Sequence, residues 1–129
     1  MSKHYLKDYD GAIKDYKEAI KIDPNYAYSY GALGLSKHYL KDYDGAIKDY
    51  NEAIRLNPSI SETYNNRGAV KYDLANTKEK NSEEYNKLIK EAIEDYNKAI
   101  ELNPNYSEAY NNRGLAKLQL RKIEEAIKD

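Results

Sequence analysis

SKHYLKDYDGAIKDY occupies residues 2–16 and returns, without a change, at residues 36–50. The offset is 34 residues, and the period continues: Asp23-Pro24 is followed 34 residues later by Asn57-Pro58, and 46 after that by Asn103-Pro104. A fixed period of 20–50 residues marks stacked supersecondary units, and 34 is the length of a helix–turn–helix repeat. Registered on the three prolines, residues 25–58 read as one full repeat. Tyr30, Leu33, Gly34 and Lys37 form one face of a first helix; Ala46, Ile47, Tyr50, Ala53 and Ile54 form the apolar face of a second. Asp42 is the expected N-cap between them. Pro58 ends the second helix, because the residue before a proline is pushed out of the α region. Gly34, Ala46 and Ala53 are small enough to let the two backbones approach to roughly 8–9 Å.

The spacing resembles that of the tetratricopeptide repeat family, whose pattern is a large residue, Leu-Gly, then an aromatic, Ala, an aromatic, Ala and Pro. Here it runs Tyr30, Leu33-Gly34, Ala46, Tyr50, Ala53, Pro58, and again Tyr64, Gly68, Ala92, Tyr96, Ala99, Pro104. The first repeat keeps only Ala12, Tyr16, Ala19 and Pro24; the last begins at Tyr110 and Gly114 and stops after Ala126. The resemblance implies an all-α fold, an α-solenoid of antiparallel helix–turn–helix repeats wound into a right-handed superhelix of about seven helices. The expected organisation is a single domain over 1–129: a partial repeat at 1–24, a full one at 25–58, one with a 12-residue insertion at 59–104 and a partial one at 105–129.

The insertion falls at residues 75–84. Because Tyr85, Leu88, Ile89, Ala92, Ile93, Tyr96, Ala99 and Ile100 keep one helical stripe, the second helix of that repeat is expected to begin near Ser82, capped by Asn81 with Glu84 three residues on, and to run roughly 20 residues. Tyr85 and Leu88 then belong either to a protruding hairpin that touches a partner or to a tolerated loop insertion. Arg67 and Arg113 stand where the repeat carries Leu. A buried arginine needs a partner, and the expected ion pairs are Arg67 with Asp95 or Asp49, and Arg113 with Asp129 or Asp95.

Charged residues make up 33% of the chain, yet its net charge is −1, which leaves no footprint for nucleic acid or an anionic membrane. Without cysteine there is no disulfide or thiolate metal site. No apolar run approaches the roughly 18 residues of a membrane span. The opening residues lack the hydrophobic core of a signal peptide, so a cytoplasmic location is expected. His4 and His38 have no second histidine within a turn to complete a metal site. No glycine-rich phosphate loop is present, and Glu83-Glu84 and Glu124-Glu125 are expected in first turns of helices, where acids complement the macrodipole. These readings exclude an enzyme, a metal and a cofactor.

The resemblance instead implies a concave groove, lined by the first helices, that receives a peptide or helix of another protein. Its candidate residues are Tyr28, Leu35, His38 and Tyr39; Glu62, Asn65, Asn66 and Tyr72; and Glu108, Asn111 and Asn112. An asparagine amide offers donors and an acceptor to a bound backbone, which singles out the doubled Asn-Asn before Arg-Gly. One subfamily clamps a C-terminal carboxylate with Lys and Asn, then Asn, then Lys and Arg. Asn66 matches the middle member, but Gly31 and Leu35, and Glu108 and Asn112, stand where the others belong, so chaperone-tail binding is not expected. Glu62, Asp73 and Glu108 favour a neutral or basic ligand. The competing reading is self-assembly, a homo-oligomer through open repeat ends at Ile13, Tyr16, Ile20, Leu115, Leu118 and Ile127. The identical copies suit a recent or engineered duplication.

Overall fold

In a computed structural model the backbone is described from residue 2 to 128, with side chains described for residues 8–122, 124 and 125. All elements among these residues are helices: α1 (Ser2–Ile22), α2 (Ala27–Tyr39), α3 (Tyr43–Leu56), α4 (Ser61–Ala75), α5 (Glu83–Leu102) and α6 (Ser107–Lys128). Six helices replace the expected seven or so, because the chain runs straight at two points where a turn was expected. Residues 2–22 form one helix rather than the end of one and the start of another. Residues 107–128 likewise continue through the turn positions, so Glu124-Glu125 sit near the end of a helix and not in a first turn. The chain divides into two compact bodies, Met1–Ser59 and Ile60–Asp129.

In the N-terminal body α2 and α3 form the helix–turn–helix hairpin. Lys41 takes the left-handed conformation at φ 65°, and Asp42 follows as N-cap, its Oδ1 accepting the Gly45 N–H at 3.1 Å. The hairpin closes on Gly34: a Cβ there would lie 3.1 Å from Tyr50 Cζ and 3.2 Å from the Ala46 carbonyl oxygen. Tyr50, Ala46 and Ala53 are consequently buried against α2 with Leu33. Burying the Tyr50 ring also buries its hydroxyl, which has no hydrogen-bond partner among the described residues. Burial raises its pKa, helped by Tyr39 and Asp49. Lys37 Nζ lies 2.9 Å from Asp49 Oδ2, close enough to pair the charges although that oxygen accepts no aligned hydrogen bond.

The C-terminal body repeats this hairpin in α4 and α5 with a longer connection. Asn81 holds φ 69° and Ser82 is the N-cap, its Oγ accepting the Tyr85 N–H at 3.1 Å. The same left-handed residue followed by a capping side chain thus opens both second helices. The cap is Ser82 rather than the expected Asn81, since only the residue after the left-handed one points its side chain at the new helix. Helix α5 spans 20 residues. Its early turns do not protrude. Tyr85 and Ile89 are fully buried, and with Ala75, Ala92, Tyr96 and Ala116 they form the core, around which Tyr72, Leu88, Ile93 and Leu120 pack. Tyr85 is therefore a core residue, and Leu88 is half-buried against that core. The helix that covers them is α6, whose Gln119 Oε1 accepts from the Tyr85 hydroxyl at 3.5 Å. Three matching turns separate the repeats: Asp23, Asn57 and Asn103 each accept, through Oδ1, the backbone N–H two residues on, at 3.1–3.2 Å. This bond spans the proline and fixes the chain reversal.

Candidate functional site

Helices α2, α4 and α6 are the first helices of their repeats, so their solvent faces carry the candidate ligand residues. On α2, Tyr28, Leu35 and Tyr39 are exposed, with Tyr26 beside Tyr28 at 5.5 Å between ring centroids. Tyr39 stacks on Tyr9 of α1 at 4.8 Å, with the rings 10° from parallel. His38 is half-buried, edge-on to Tyr43 at 5.9 Å. An aromatic surface of this kind offers large contact area at little entropic cost.

In the C-terminal body the faces of α4 and α6 are joined by polar contacts centred on Asn65. This side chain is fully buried rather than presented to solvent. Its Nδ2 lies 3.3 Å from both the Tyr106 hydroxyl and Glu108 Oε1, and its Oδ1 accepts from Asn112 Nδ2 at 3.1 Å. A buried amide costs little only when its donors and acceptor are used, and here all are used within the fold. Asn65 is thus a junction between helices, and Asn112 and Glu108 are partly committed to it. Burial, and then the Glu108 charge, raise the pKa of Tyr106. Asn66 and Tyr72 are half-buried, while Glu62 and Asn111 face solvent. The Asn65 role was not visible in sequence, because Asn65 and Asn66 look alike until the helix phase separates an inward amide from an outward one.

The two arginines diverge. Arg67 donates from Nε to Asp95 Oδ2 at 2.9 Å and from Nη2 to Oδ1 at 2.7 Å, a bidentate bridge between α4 and α5. Lys71 Nζ reaches the same carboxylate at 3.5 Å and Glu91 at 3.4 Å. Burial alone would lower the Arg67 pKa, but the hydrogen bonds and charge of Asp95 outweigh it and leave the value raised. Among the described residues, Arg113 does not contact Asp95. Asp95 is taken by Arg67 and Lys71, Asp129 lies outside the described residues, and Arg113 donates from Nη1 to Asn97 Oδ1 at 2.9 Å while covering the Tyr110 ring at 5.3 Å. Of the residues expected at open ends, Ile13, Tyr16 and Ile20 are half-buried. Leu115 and Leu118 are 55% and 50% exposed, and the Ile127 side chain is outside the described set. No helix among the described residues is long and apolar enough to cross a membrane.

The sequence matches the TPR repeat family over residues 3–40, 34–74 and 85–121. Together with the helical hairpins closed on Gly34 and Gly68, this establishes that the chain belongs to the tetratricopeptide repeat family. No curated protein sequence matches it. Among solved structures it is similar to the first TPR of Spaghetti (RPAP3) bound to the HSP90 peptide SRMEEVD, at 29% identity and a TM-score of 0.71, covering 99% of this chain and 86% of that one. It is also similar to the first TPR domain of human RPAP3, at 29% identity and a TM-score of 0.79, over 95% of this chain and 89% of that one. The TPR domain of Arabidopsis OM64, at 22% identity and a TM-score of 0.73 over 89% and 85% of the two chains, shares the fold.

Proposed function

We propose that this chain is a non-enzymatic protein-interaction module that binds an extended peptide or helix on the faces of its first helices. The observation that carries the reading is the α4–α6 surface. The buried Asn65 amide holds Asn112 and Glu108 in place, so these polar groups are ordered before any ligand arrives, which lowers the entropic cost of binding. The RPAP3 domains support the class of function, since one is held with a peptide.

The ligand preference differs from that of a carboxylate clamp. Gly31 and Leu35 bring no cation to α2, and Glu62 and Glu108 place acids on α4 and α6, so a neutral or basic segment is favoured over an acidic chain end. Titration of fluorescent peptides, with SRMEEVD and a basic peptide of equal length as the two probes, tests this. Tighter binding of the basic peptide, weakened by Asn66→Ala and Asn111→Ala, is expected. Preference for SRMEEVD would refute the ligand class. Absence of binding from a randomised peptide library would refute the module.

A further inference from the structure

Two helices of this molecule carry complementary halves of a hairpin that the chain completes elsewhere. Residues 9–22 of α1 differ from residues 43–56 of α3 only at Lys17/Asn51, Lys21/Arg55 and Ile22/Leu56. In α3 this face is fully engaged: Tyr50 and Ala46 are buried over Gly34 of α2. In α1 the matching Tyr16 and Ala12 are only half-buried. Conversely, α6 repeats the receiving face of α4, with Tyr110, Arg113, Gly114 and Lys117 at the positions of Tyr64, Arg67, Gly68 and Lys71. On α4 that face holds α5, with Tyr96 pressed on Gly68. On α6 the space over Gly114 is empty, with nothing within 4 Å of a built Cβ among the described residues.

We infer that α1 of one copy docks antiparallel on α6 of a second copy, with Tyr16 seated over Gly114 and Asp15 facing Arg113 and Lys117. The occupant is written in the chain itself, since α1 bears the residues that fill the same kind of slot in α3. Charge agrees with shape. Asp15 stands at the position of Asp49, and of Asp95, which gathers Arg67 and Lys71 in the completed hairpin. Arg113 and Lys117 are the same two cations without that carboxylate among the described residues, and Arg113 rests on the neutral Asn97. Length agrees as well. Helices α1 and α6 have 21 and 22 residues, against 13 and 14 for α2 and α3. In the antiparallel register set by Tyr16 over Gly114, the additional N-terminal turns of α1 run alongside the additional C-terminal turns of α6. The contact joins α1 to α6, so its repetition closes a ring of two or more copies or extends an open chain.

Light scattering on the 129-residue chain, from low micromolar to near-millimolar concentration, should show the mean mass climbing from 14.9 kDa to at least twice that value. Two blocked variants discriminate the geometry. Tyr16→Glu spoils α1, and Gly114→Lys fills the open space on α6 without a clash. Each alone should stay monomeric, while an equimolar mixture should pair one-to-one through the intact α6 of the first and the intact α1 of the second. Asp15 is exposed, so Asp15→Lys leaves the fold intact and should weaken association about tenfold or more. It serves as the blocking change if circular dichroism shows that Tyr16→Glu unfolds. A constant monomer mass, assembly by either blocked variant alone, or failure of the mixture to pair would each overturn the proposal.

Discussion

The bridge between Arg67 and Asp95 should be markedly asymmetric, with the carboxylate essential and the arginine dispensable. Removing one member of a buried ion pair ordinarily costs about 3–5 kcal/mol, because the other charge is left uncompensated. The molecule carries its own control for Arg67→Leu. In the α2–α3 hairpin the same position is Leu33, buried at 4% exposure, and Lys37 alone approaches Asp49 at 2.9 Å. The variant recreates that arrangement. Two charge-assisted hydrogen bonds are lost, each worth about 1.5–3 kcal/mol. Against this, Lys71 can close on Asp95 from 3.5 Å, and burying a leucine returns about 1.5–3 kcal/mol. The net cost should stay near 1 kcal/mol. Asp95→Asn has no such rescue. It leaves the Arg67 guanidinium, 19% exposed in its side chain, facing a neutral amide, while Lys71 keeps Glu91 at 3.4 Å, which should cost roughly 3 kcal/mol. At about 4 °C per kcal/mol for a chain of this size, the melting temperatures should fall by about 4 °C and about 12 °C. Urea unfolding followed by circular dichroism at 222 nm measures both. Lys71→Met added to Arg67→Leu should then cost as much as Asp95→Asn, since it removes the last cation. Equal losses for Arg67→Leu and Asp95→Asn would refute the reasoning from the N-terminal hairpin.

Gly68→Ala should destabilise and Gly114→Ala should stabilise, although both are glycines at the same repeat position. A Cβ on Gly68 stands 2.7 Å from Tyr96 Cε1 and 3.1 Å from the Ala92 carbonyl oxygen. Overpacking of roughly 1–3 kcal/mol therefore exceeds the gain of about 1 kcal/mol in helix propensity, which Gly114→Ala keeps whole; urea midpoints moving the same way would contradict this. Tyr50→Phe deletes a buried hydroxyl that lacks a partner, so calorimetry should show a gain of about 1 kcal/mol. The same tyrosine shapes the alkaline limb. Tyr50 and Tyr96 have raised pKa values in the folded state, chiefly from burial. Their contribution is therefore whole below the unfolded tyrosine value near 10 and is lost as pH rises beyond it, by about 1.4 kcal/mol per pH unit for each. The variant should show a shallower decline between about pH 10 and 11.5. Ser82→Ala removes the α5 cap and should cost about 1 kcal/mol, whereas Asn81→Ser, which keeps a side chain on a residue that caps nothing, should lose less.

Much of this architecture is legible in the residues alone. The 34-residue period, the small residues at Gly34, Ala46 and Ala53, and the Asp/Asn-Pro reversals specify paired helices, because they act through local geometry and a close approach that any side chain larger than hydrogen or methyl would block. The long α5 was readable from its unbroken stripe, and the carboxylate opposite Arg67 from its place one residue before Tyr96. What sequence could not reveal is which of two identical stretches bends. Residues 2–16 form part of one helix; residues 36–50, the same fifteen amino acids, form helix, turn and helix. The turn requires a left-handed Lys41, unfavourable for a residue with a side chain, and it is stabilised only when the second helix has a first helix to fold against. Residues 27–35 supply that surface to the second copy, through Gly34 and Leu33. Among the described residues nothing equivalent precedes the first copy, so it keeps its helical hydrogen bonds and stays straight. The same reason separates Asn65 from Asn66. Helix propensity and amide chemistry are shared by both, and only the packing of α6 on α4 decides which amide is enclosed in the fold and which stays half-buried at its surface.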